Sequence, residues 1–246
     1  MIRLVTFDAL HTILKPRLPI YVQYSQTFEP YLGVLQPEAL KRSFKVALKQ
    51  VQTEKPVYGH ENGSQGWWGE VIRRTAIGAG ADPIAVTKHI STMTPLLIER
   101  FSSKQGYTLY PDTIPTFDTL REMGIKIGVI SNCDSRMRGV LDDLKVTPYL
   151  STIVLSQDEG FEKPEEEMFL RAYSRVDEDI KPEQVVHVGD DLECDYKGAR
   201  EAGLHALLIR RPDVDSEEKK VGEDVRAVSG LDDVVTFVEV LNWVDG

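Results

Sequence analysis

The chain has 246 residues, of which 41% are hydrophobic and 28% are charged, a composition typical of a globular protein with a sizeable core. Its net charge of −10 argues against a nucleic-acid partner, because binding to the phosphate backbone relies on clustered Lys and Arg. No run approaches the roughly 20 apolar residues that span a bilayer, and no cleavable signal pattern is visible. Two cysteines are too few for a disulfide framework. An intracellular location is therefore expected, by default the cytoplasm, with nucleus or organelle left open.

Five short apolar runs predict strands that are buried on both faces, because most of them lack polar–apolar alternation. They are Ile2–Phe7, Ile125–Ser131, Thr152–Ser156, Val185–Gly189 and Leu204–Ile209. Helical patterns precede, separate and follow the last four runs, at Thr113–Gly124, Asp134–Leu144, Pro164–Val176, Asp195–Ala202 and Leu231–Val244. This alternation predicts an α/β fold, a Rossmann-like doubly wound parallel sheet with helices on both faces.

The segment between the first and second runs breaks this alternation. It holds four helical patterns, Pro19–Leu32, Pro37–Thr53, Gln65–Ala79 and Pro83–Phe101. We therefore predict a core of residues 1–14 and 109–246, and an inserted helical domain of residues 15–108 above the carboxyl ends of the strands, where open α/β sheets bind ligands. Arg210, Arg211 and the charged segment Val214–Asp224 are expected at the surface.

Polar residues stand at or shortly after the carboxyl ends of four predicted strands. In chain order they are Asp8, then Ser131 and Asn132, then Lys163, then Asp190, Asp191 and Asp195. A lone Asp, Ser or Lys at such a place is usually a cap or a surface group, whereas this ordered set predicts a catalytic site. His187, in the middle of the fourth strand, is predicted to be a core histidine.

The segments FDALHTIL, VISNCD, EKP and HVGDDLECDYKGAREAG resemble the four motifs of the haloacid dehalogenase-like hydrolase superfamily, and the resemblance covers essentially the whole chain. The insertion is similar to that superfamily's type 1 helical cap, and the motifs most resemble its eukaryotic group called haloacid dehalogenase-like hydrolase domain-containing protein 3. The resemblance implies that Asp8 is a nucleophile that forms a covalent ester, which water then resolves. It also implies that Ser131 and the backbone N–H of Asn132 bind the transferred group, while Lys163 neutralises negative charge and keeps Asp8 ionised.

A Mg²⁺ site is also implied by the resemblance. Mg²⁺ prefers oxygen ligands and keeps several waters besides one or two carboxylates. Asp8 and Asp190 would supply the carboxylates, and Leu10 its backbone carbonyl. Asp191 or Asp195 is expected to ligate the metal or to orient its waters, with a helix N-cap as the alternative for Asp195. Three neighbouring carboxylates repel one another without a cation, which itself argues for a metal.

Leu10 departs from the pattern of the superfamily's phosphatases. They have a second Asp two residues after the nucleophile, which protonates the leaving group and then activates water. General acid–base catalysis contributes about 10²–10⁴-fold in rate. Turnover is therefore expected to be reduced, or restricted to good leaving groups such as aryl and acyl phosphates. His11 is a candidate replacement acid, although a turn residue that points away is the commoner role for such a histidine.

Three functions remain open on the sequence. The first is a Mg²⁺-dependent phosphohydrolase that acts on a small phosphorylated molecule through an aspartyl-phosphate on Asp8. The second is a catalytically weak or inactive protein that binds a phosphorylated ligand or partner. The third is a metal-independent 2-haloacid dehalogenase, because those enzymes also lack the second Asp, although their fourth motif lacks the acidic pattern seen here. A monomer is expected for this architecture.

Overall fold

The computed structural model describes residues 1–59, 63–212, 222 and 224–244. The chain divides into two compact units: a sheet unit, Met1–Lys15 with Leu109–Gly246, and a helical unit, Pro16–Thr108. Most of the segment Val214–Asp224, predicted as a surface loop, lies outside the described residues. Within the described part of the chain, none of the helices combines the length and the apolarity that a membrane crossing requires.

The strands of the described residues form one large sheet and one small sheet. They are β1 (Leu4–Phe7), β2 (Leu14–Pro16), β3 (Tyr107–Leu109), β4 (Lys126–Ser131), β5 (Thr152–Leu155), β6 (Val185–Gly189), β7 (His205–Ile209) and β8 (Ala227–Val228). Six of them form a sheet in the order β5-β4-β1-β6-β7-β8, in which every neighbouring pair is parallel. The predicted α/β class with a parallel sheet is therefore confirmed. Strand β8 escaped prediction because two residues carry too little pattern to be recognised.

The helices fall into two sets, one in each unit. The helical unit contains α1 (Ile20–Leu32), α2 (Pro37–Glu54), α3 (Gly63–Gly78) and α4 (Pro83–Arg100). The sheet unit contains α5 (Thr113–Glu122), α6 (Arg136–Asp143), α7 (Ser156–Glu159), α8 (Glu166–Ser174), α9 (Gly198–Glu201) and α10 (Asp232–Val244). Asp195–Ala202, predicted as one helix, is instead the end of a π-helical turn, Leu192–Lys197, followed by the short α9.

The helical unit has a hydrophobic core of its own. Large side chains from all four of its helices are buried there, among them Tyr24, Phe28, Leu40, Ile72 and Met93. The Tyr24 ring lies edge-on to Phe28, with ring centroids 5.5 Å apart. Burial of this kind contributes about 1.5–3 kcal/mol for each large apolar side chain, so the inserted segment can hold four helices together without the sheet.

Strand β1 is the point at which the order of the sheet reverses. Strands β4 and β5 lie on one side of it, whereas β6, β7 and β8 lie on the other. Ligands of open α/β sheets bind outside the carboxyl ends of the strands at such a reversal. All residues of β1 and β6 are buried, so the chain that follows each of them starts from a fixed backbone. Asp8 follows β1, and Asp190 follows β6.

An ion pair between a buried arginine and a partly buried aspartate joins distant parts of the sheet unit. Arg211, which follows β7, is 7% exposed and donates to both carboxylate oxygens of Asp112, at 2.6 and 3.0 Å. It also donates to the carbonyl oxygen of Thr12 at 2.7 Å, and its guanidinium lies 3.9 Å from the centroid of the Tyr110 ring. Asp112 accepts the backbone N–H of Leu231 as well. The expectation that Arg211 lies at the surface is wrong, because its charge is balanced inside the fold.

The change Arg211→Leu should lower the free energy of unfolding by about 2 kcal/mol, because it leaves a partly buried carboxylate without its cation. The matched control is Arg138→Leu, which removes an exposed arginine that donates twice to Asp158. Exposed pairs contribute only about 0–1 kcal/mol. Urea unfolding of the unaltered chain and both variants measures the difference, and equal losses would contradict the role given to Arg211.

Candidate active site

The ammonium group of Lys163 lies at the centre of a buried polar group in the sheet unit. Its Nζ donates to Oδ1 of Asp8 at 2.7 Å, to Oδ1 of Asp195 at 2.6 Å and to the carbonyl oxygen of Ile130 at 2.8 Å. Lys163 is 3% exposed, Asp8 8% and Asp195 2%. An ammonium has three N–H donors, so all three are used. The ammonium is thereby fixed between the predicted nucleophile and Asp195.

The backbone of Lys163 is held by the side chain of Asn132. The Asn132 Nδ2 donates to the carbonyl oxygen of Lys163 at 2.8 Å, and the Lys163 N–H donates to Oδ1 of Asn132 at 2.7 Å. The sequence predicted only that the backbone N–H of Asn132 binds ligand. The side-chain contact was missed because it joins residues 31 positions apart, a pairing that no local pattern reveals.

Asp195 has hydrogen-bonding partners on both carboxylate oxygens. Besides Lys163, its Oδ1 lies 3.1 Å from Nε2 of His187, and its Oδ2 accepts the backbone N–H of Asp191 at 2.9 Å. The carboxyl group lies against Gly189, where any Cβ atom would overlap it. A glycine at the end of β6 is therefore required for Asp195 to reach Lys163.

The N-cap that follows β6 is Asp191 and not Asp195. Oδ1 of Asp191 accepts the backbone N–H groups of Glu193 and Cys194, at 2.9 and 2.8 Å. This capping begins the helical turn at residue 192, three residues before the predicted start. The N-cap alternative for Asp195 is wrong, because its carboxylate is occupied by Lys163 and its neighbours.

The charges of this group stabilise one another unequally. Burial raises the pKa of Asp195, but the positive charge of Lys163 and a hydrogen bond with His187 outweigh it, so the pKa lies well below its ordinary value. Burial lowers the pKa of Lys163, but the negative charges of Asp195 and Asp8 raise it well above its ordinary value. Lys163 is therefore a permanent ammonium, and Asp195 a permanent carboxylate, across the physiological pH range.

The pKa values of Asp8 and Asp190 are instead raised. Burial raises the pKa of Asp8, with the charge of Asp195 adding to it and Lys163 opposing it. Burial raises the pKa of Asp190 to about 8, and the negative charges of Asp8 and Asp195 add to it. One ammonium thus faces three carboxyl groups. Another positive charge beside Asp8 and Asp190 would bring both to the ionised form at neutral pH.

The remaining predicted residues are Ser131, Leu10 and His11. The buried Ser131 ends β4, and a hydrogen bond from its side chain is one of the influences that lower the pKa of Asp8. The backbone of Leu10 pairs with that of Leu14 in a single parallel β-bridge. His11 has a left-handed backbone with a φ of 62°, and its N–H donates to the carbonyl oxygen of Leu14 at 2.7 Å.

The described residues contain no group of three or more His, Cys, Asp or Glu side chains arranged to hold a metal ion. The site that the sequence predicted for Mg²⁺ includes only two such side chains, those of Asp8 and Asp190, and its third donor is a backbone carbonyl.

Both cysteines are free. Burial raises the pKa of Cys133 and of Cys194 to about 12, so neither is a reactive thiolate near neutral pH.

A family model for haloacid dehalogenase-like hydrolases matches residues 2–203. Haloacid dehalogenase-like hydrolase domain-containing protein 3 of Danio rerio is 31% identical over 215 residues, which are 86% of this chain and 86% of the relative. Glyceraldehyde 3-phosphate phosphatase of Methanopyrus kandleri is 38% identical over 117 residues, which are 47% of this chain and 49% of that protein.

Among solved structures, the HAD-hydrolase YfnB of Bacillus subtilis, bound to magnesium, has a TM-score of 0.73. It is 18% identical and covers 97% of this chain and 99% of its own, so the likeness shows the fold. The family model spans all four motifs, and the Danio rerio relative matches 86% of the chain. This chain is therefore a member of the haloacid dehalogenase-like hydrolase family, as its motifs predict.

Proposed function

We propose that this protein is a Mg²⁺-dependent phosphohydrolase that acts on a small phosphorylated molecule through an aspartyl-phosphate on Asp8, with turnover restricted by Leu10. The observation that carries the proposal is the buried Asp8–Lys163–Asp195 group, in which a permanent ammonium contacts Asp8 at 2.7 Å and is itself fixed by Asp195 at 2.6 Å. A relative that matches 47% of this chain is named a phosphatase, which supports the same chemistry.

In the proposed reaction a carboxylate oxygen of Asp8 attacks phosphorus, and the bond from phosphorus to the leaving oxygen breaks. Water then attacks phosphorus, which releases phosphate and restores the Asp8 carboxylate. Lys163 places positive charge beside the oxygens of the transferred group, and the Ser131 hydroxyl and Asn132 backbone N–H donate to them. Preorganised donors of this kind are usually the largest contribution to catalysis in such sites.

The residues around Asp8 fit a Mg²⁺ ion. Asp8 and Asp190 would hold it with their carboxylates and Leu10 with its backbone carbonyl, a set of hard oxygen donors that leaves room for waters. The raised pKa of both acids is what a site lacking one positive charge should show. When bound, Mg²⁺ supplies charge neutralisation to the phosphoryl group.

Proton supply is where the site falls short. Lys163 cannot act as the acid because its pKa is raised, and Asp195 cannot because its pKa is lowered. Leu10 has no proton to give, so a leaving group must depart with little protonation. Aryl and acyl phosphates meet this condition, whereas a more basic leaving group would need His11, the candidate replacement acid, to donate a proton.

The proposal is tested by aryl phosphate hydrolysis with and without Mg²⁺. The unaltered chain should hydrolyse the aryl phosphate only with Mg²⁺. Asp8→Asn should abolish hydrolysis because the amide is not a nucleophile. The control Asp142→Asn changes an exposed aspartate of α6 and should leave the rate unchanged. Metal-independent halide release from a 2-haloacid would favour a dehalogenase, and binding of a phosphate mimic without turnover would favour a binding protein.

The change Leu10→Asp should raise turnover of alkyl phosphates by about 10²-fold or more, because it restores a general acid. Aryl phosphates should gain less, since their leaving groups need little protonation. The matched control is Leu10→Asn, because asparagine has nearly the same shape as aspartate but no acidic proton. Steady-state rates on one alkyl and one aryl ester measure the effect, and an equal gain on both would count against the mechanism.

The stabilisation that Asp190 contributes to the metal-free protein should be lost as the pH rises from about 4 to about 8. In this window unfolded Asp190 releases its proton, whereas folded Asp190, with a pKa of about 8, keeps it. The unfolded state therefore binds fewer protons and is favoured as pH rises. Asp190→Asn removes this contribution, so its melting temperature in EDTA should fall less between pH 5 and pH 8.

Added Mg²⁺ should restore the melting temperature of the unaltered chain at pH 8, by about 2–4 °C for each kcal/mol of stabilisation. It should not stabilise Asp190→Asn to the same extent, because a carboxylate ligand is lost. Differential scanning fluorimetry measures the effect of Mg²⁺ on the melting temperature of each of the two proteins at pH 5 and at pH 8. Parallel curves for the two proteins would show that Asp190 neither titrates in this window nor binds the ion.

A further inference from the structure

We propose that His187 is a positioning residue for the reaction: as the Nε2–H tautomer, which Asp195 selects and the Thr6 hydroxyl supports, it orients Asp195 and thereby the Lys163 ammonium against Asp8. Its catalytic consequence rests on the proposed function, whereas its tautomer and its effect on Lys163 do not. His187 makes no contact with Asp8 and acts through Asp195.

The His187 ring is fixed on every side. It is fully buried in β6, opposite Thr6 of β1 in the parallel register. Nδ1 lies 2.9 Å from the Thr6 hydroxyl oxygen, and Nε2 lies 3.1 Å from Oδ1 of Asp195. The Phe169 ring packs edge-on, with ring centroids 5.2 Å apart. A buried apolar residue would fill this volume equally well, so the two polar contacts are what distinguish histidine here.

The neighbours of His187 select one tautomer. Asp195 also pairs with the Lys163 ammonium at 2.6 Å and is a carboxylate, which can only accept hydrogen bonds. Nε2 of His187 must therefore carry the hydrogen. In a neutral ring Nδ1 is then an acceptor, so the Thr6 hydroxyl donates to it. The competing acceptor of that hydroxyl, the Val186 carbonyl oxygen, is farther away at 3.4 Å.

This arrangement completes the set of donors around Asp195. Oδ1 takes hydrogen bonds from His187 and Lys163, and Oδ2 from the backbone N–H of Asp191. A carboxylate held on both oxygens cannot rotate, so the ammonium that it anchors stays within 2.7 Å of Asp8. Loss of the hydrogen-bonding partners that orient metal ligands typically costs about 10–100-fold in activity, and we expect a loss of the same order for a partner of Asp195.

The test compares His187→Phe, which keeps an aromatic ring and removes both nitrogens, with His187→Gln, whose amide can still donate to Asp195. With an aryl phosphate and Mg²⁺, His187→Phe should lower kcat by about 10–100-fold with little change in KM, because His187 positions the reacting groups and does not touch substrate. His187→Gln should recover most of that loss. Equal losses in the two variants would overturn the proposal.

Two NMR measurements do not depend on turnover. In the unaltered chain the ¹⁵N spectrum of the histidine rings, assigned with His187→Gln, should show a protonated Nε2 and an unprotonated Nδ1 for His187. The Nζ signal of Lys163 should shift or broaden in His187→Phe. A protonated Nδ1 would overturn the tautomer, and an unchanged Lys163 signal would overturn the positioning role, even if the unaltered chain hydrolyses no phosphate and the proposed function fails.

If His187→Phe does not fold, Thr6 provides a second pair of variants that leave the ring in place. Thr6→Ser keeps the hydroxyl, whereas Thr6→Val has the same shape without it. Only Thr6→Val should lower kcat and alter the His187 nitrogen signals, because only it removes the donor to Nδ1. Loss of kcat in both variants, or in neither, would contradict the role of the Thr6 hydroxyl in holding the His187 ring.

Discussion

The Lys163 ammonium is buried, and each of its three acceptors comes from a different part of the sheet. Asp8 follows β1, the Ile130 carbonyl belongs to β4, and Asp195 lies in the turn after β6. Removing a charge from water costs several kcal/mol, which is offset only by well-placed partners. The carboxyl ends of these three neighbouring strands must therefore keep their relative positions if the ammonium is to remain satisfied.

That constraint explains several structural features that take no part in the proposed chemistry. Gly189 leaves room for the Asp195 carboxyl group, and the Asn132 side chain fixes the Lys163 backbone through two hydrogen bonds of 2.8 and 2.7 Å. Arg211 contributes differently, because it binds the Thr12 carbonyl at 2.7 Å in the loop that follows Asp8. These groups constrain backbone and side chains before any ligand arrives, which is the condition for electrostatic preorganisation.

The sequence predicted the parallel sheet well, since strands buried on both faces read as continuous apolar runs and their polar successors stand at one edge. It failed where structure depends on contacts between distant residues. Arg211 finds Asp112, 99 positions away, and Asn132 finds Lys163, 31 positions away. The N-cap alternative for Asp195 failed for a local reason, because an aspartate at position 191 or 195 can precede a helix and only the packing of Asp195 against Gly189 decides.

The proposed reaction separates two requirements that usually occur together in a phosphohydrolase. Charge on the transferred phosphoryl group is neutralised by Lys163 and by the hydrogen-bond donors near Asp8, and this demand is similar for every phosphate ester. Protonation of the leaving oxygen is needed in proportion to its basicity. With leucine at position 10 the first requirement is met and the second is not. Discrimination then follows from the chemistry of the leaving group, independently of the shape of the substrate, and esters of weakly basic oxygens are favoured even where a more basic ester binds equally well.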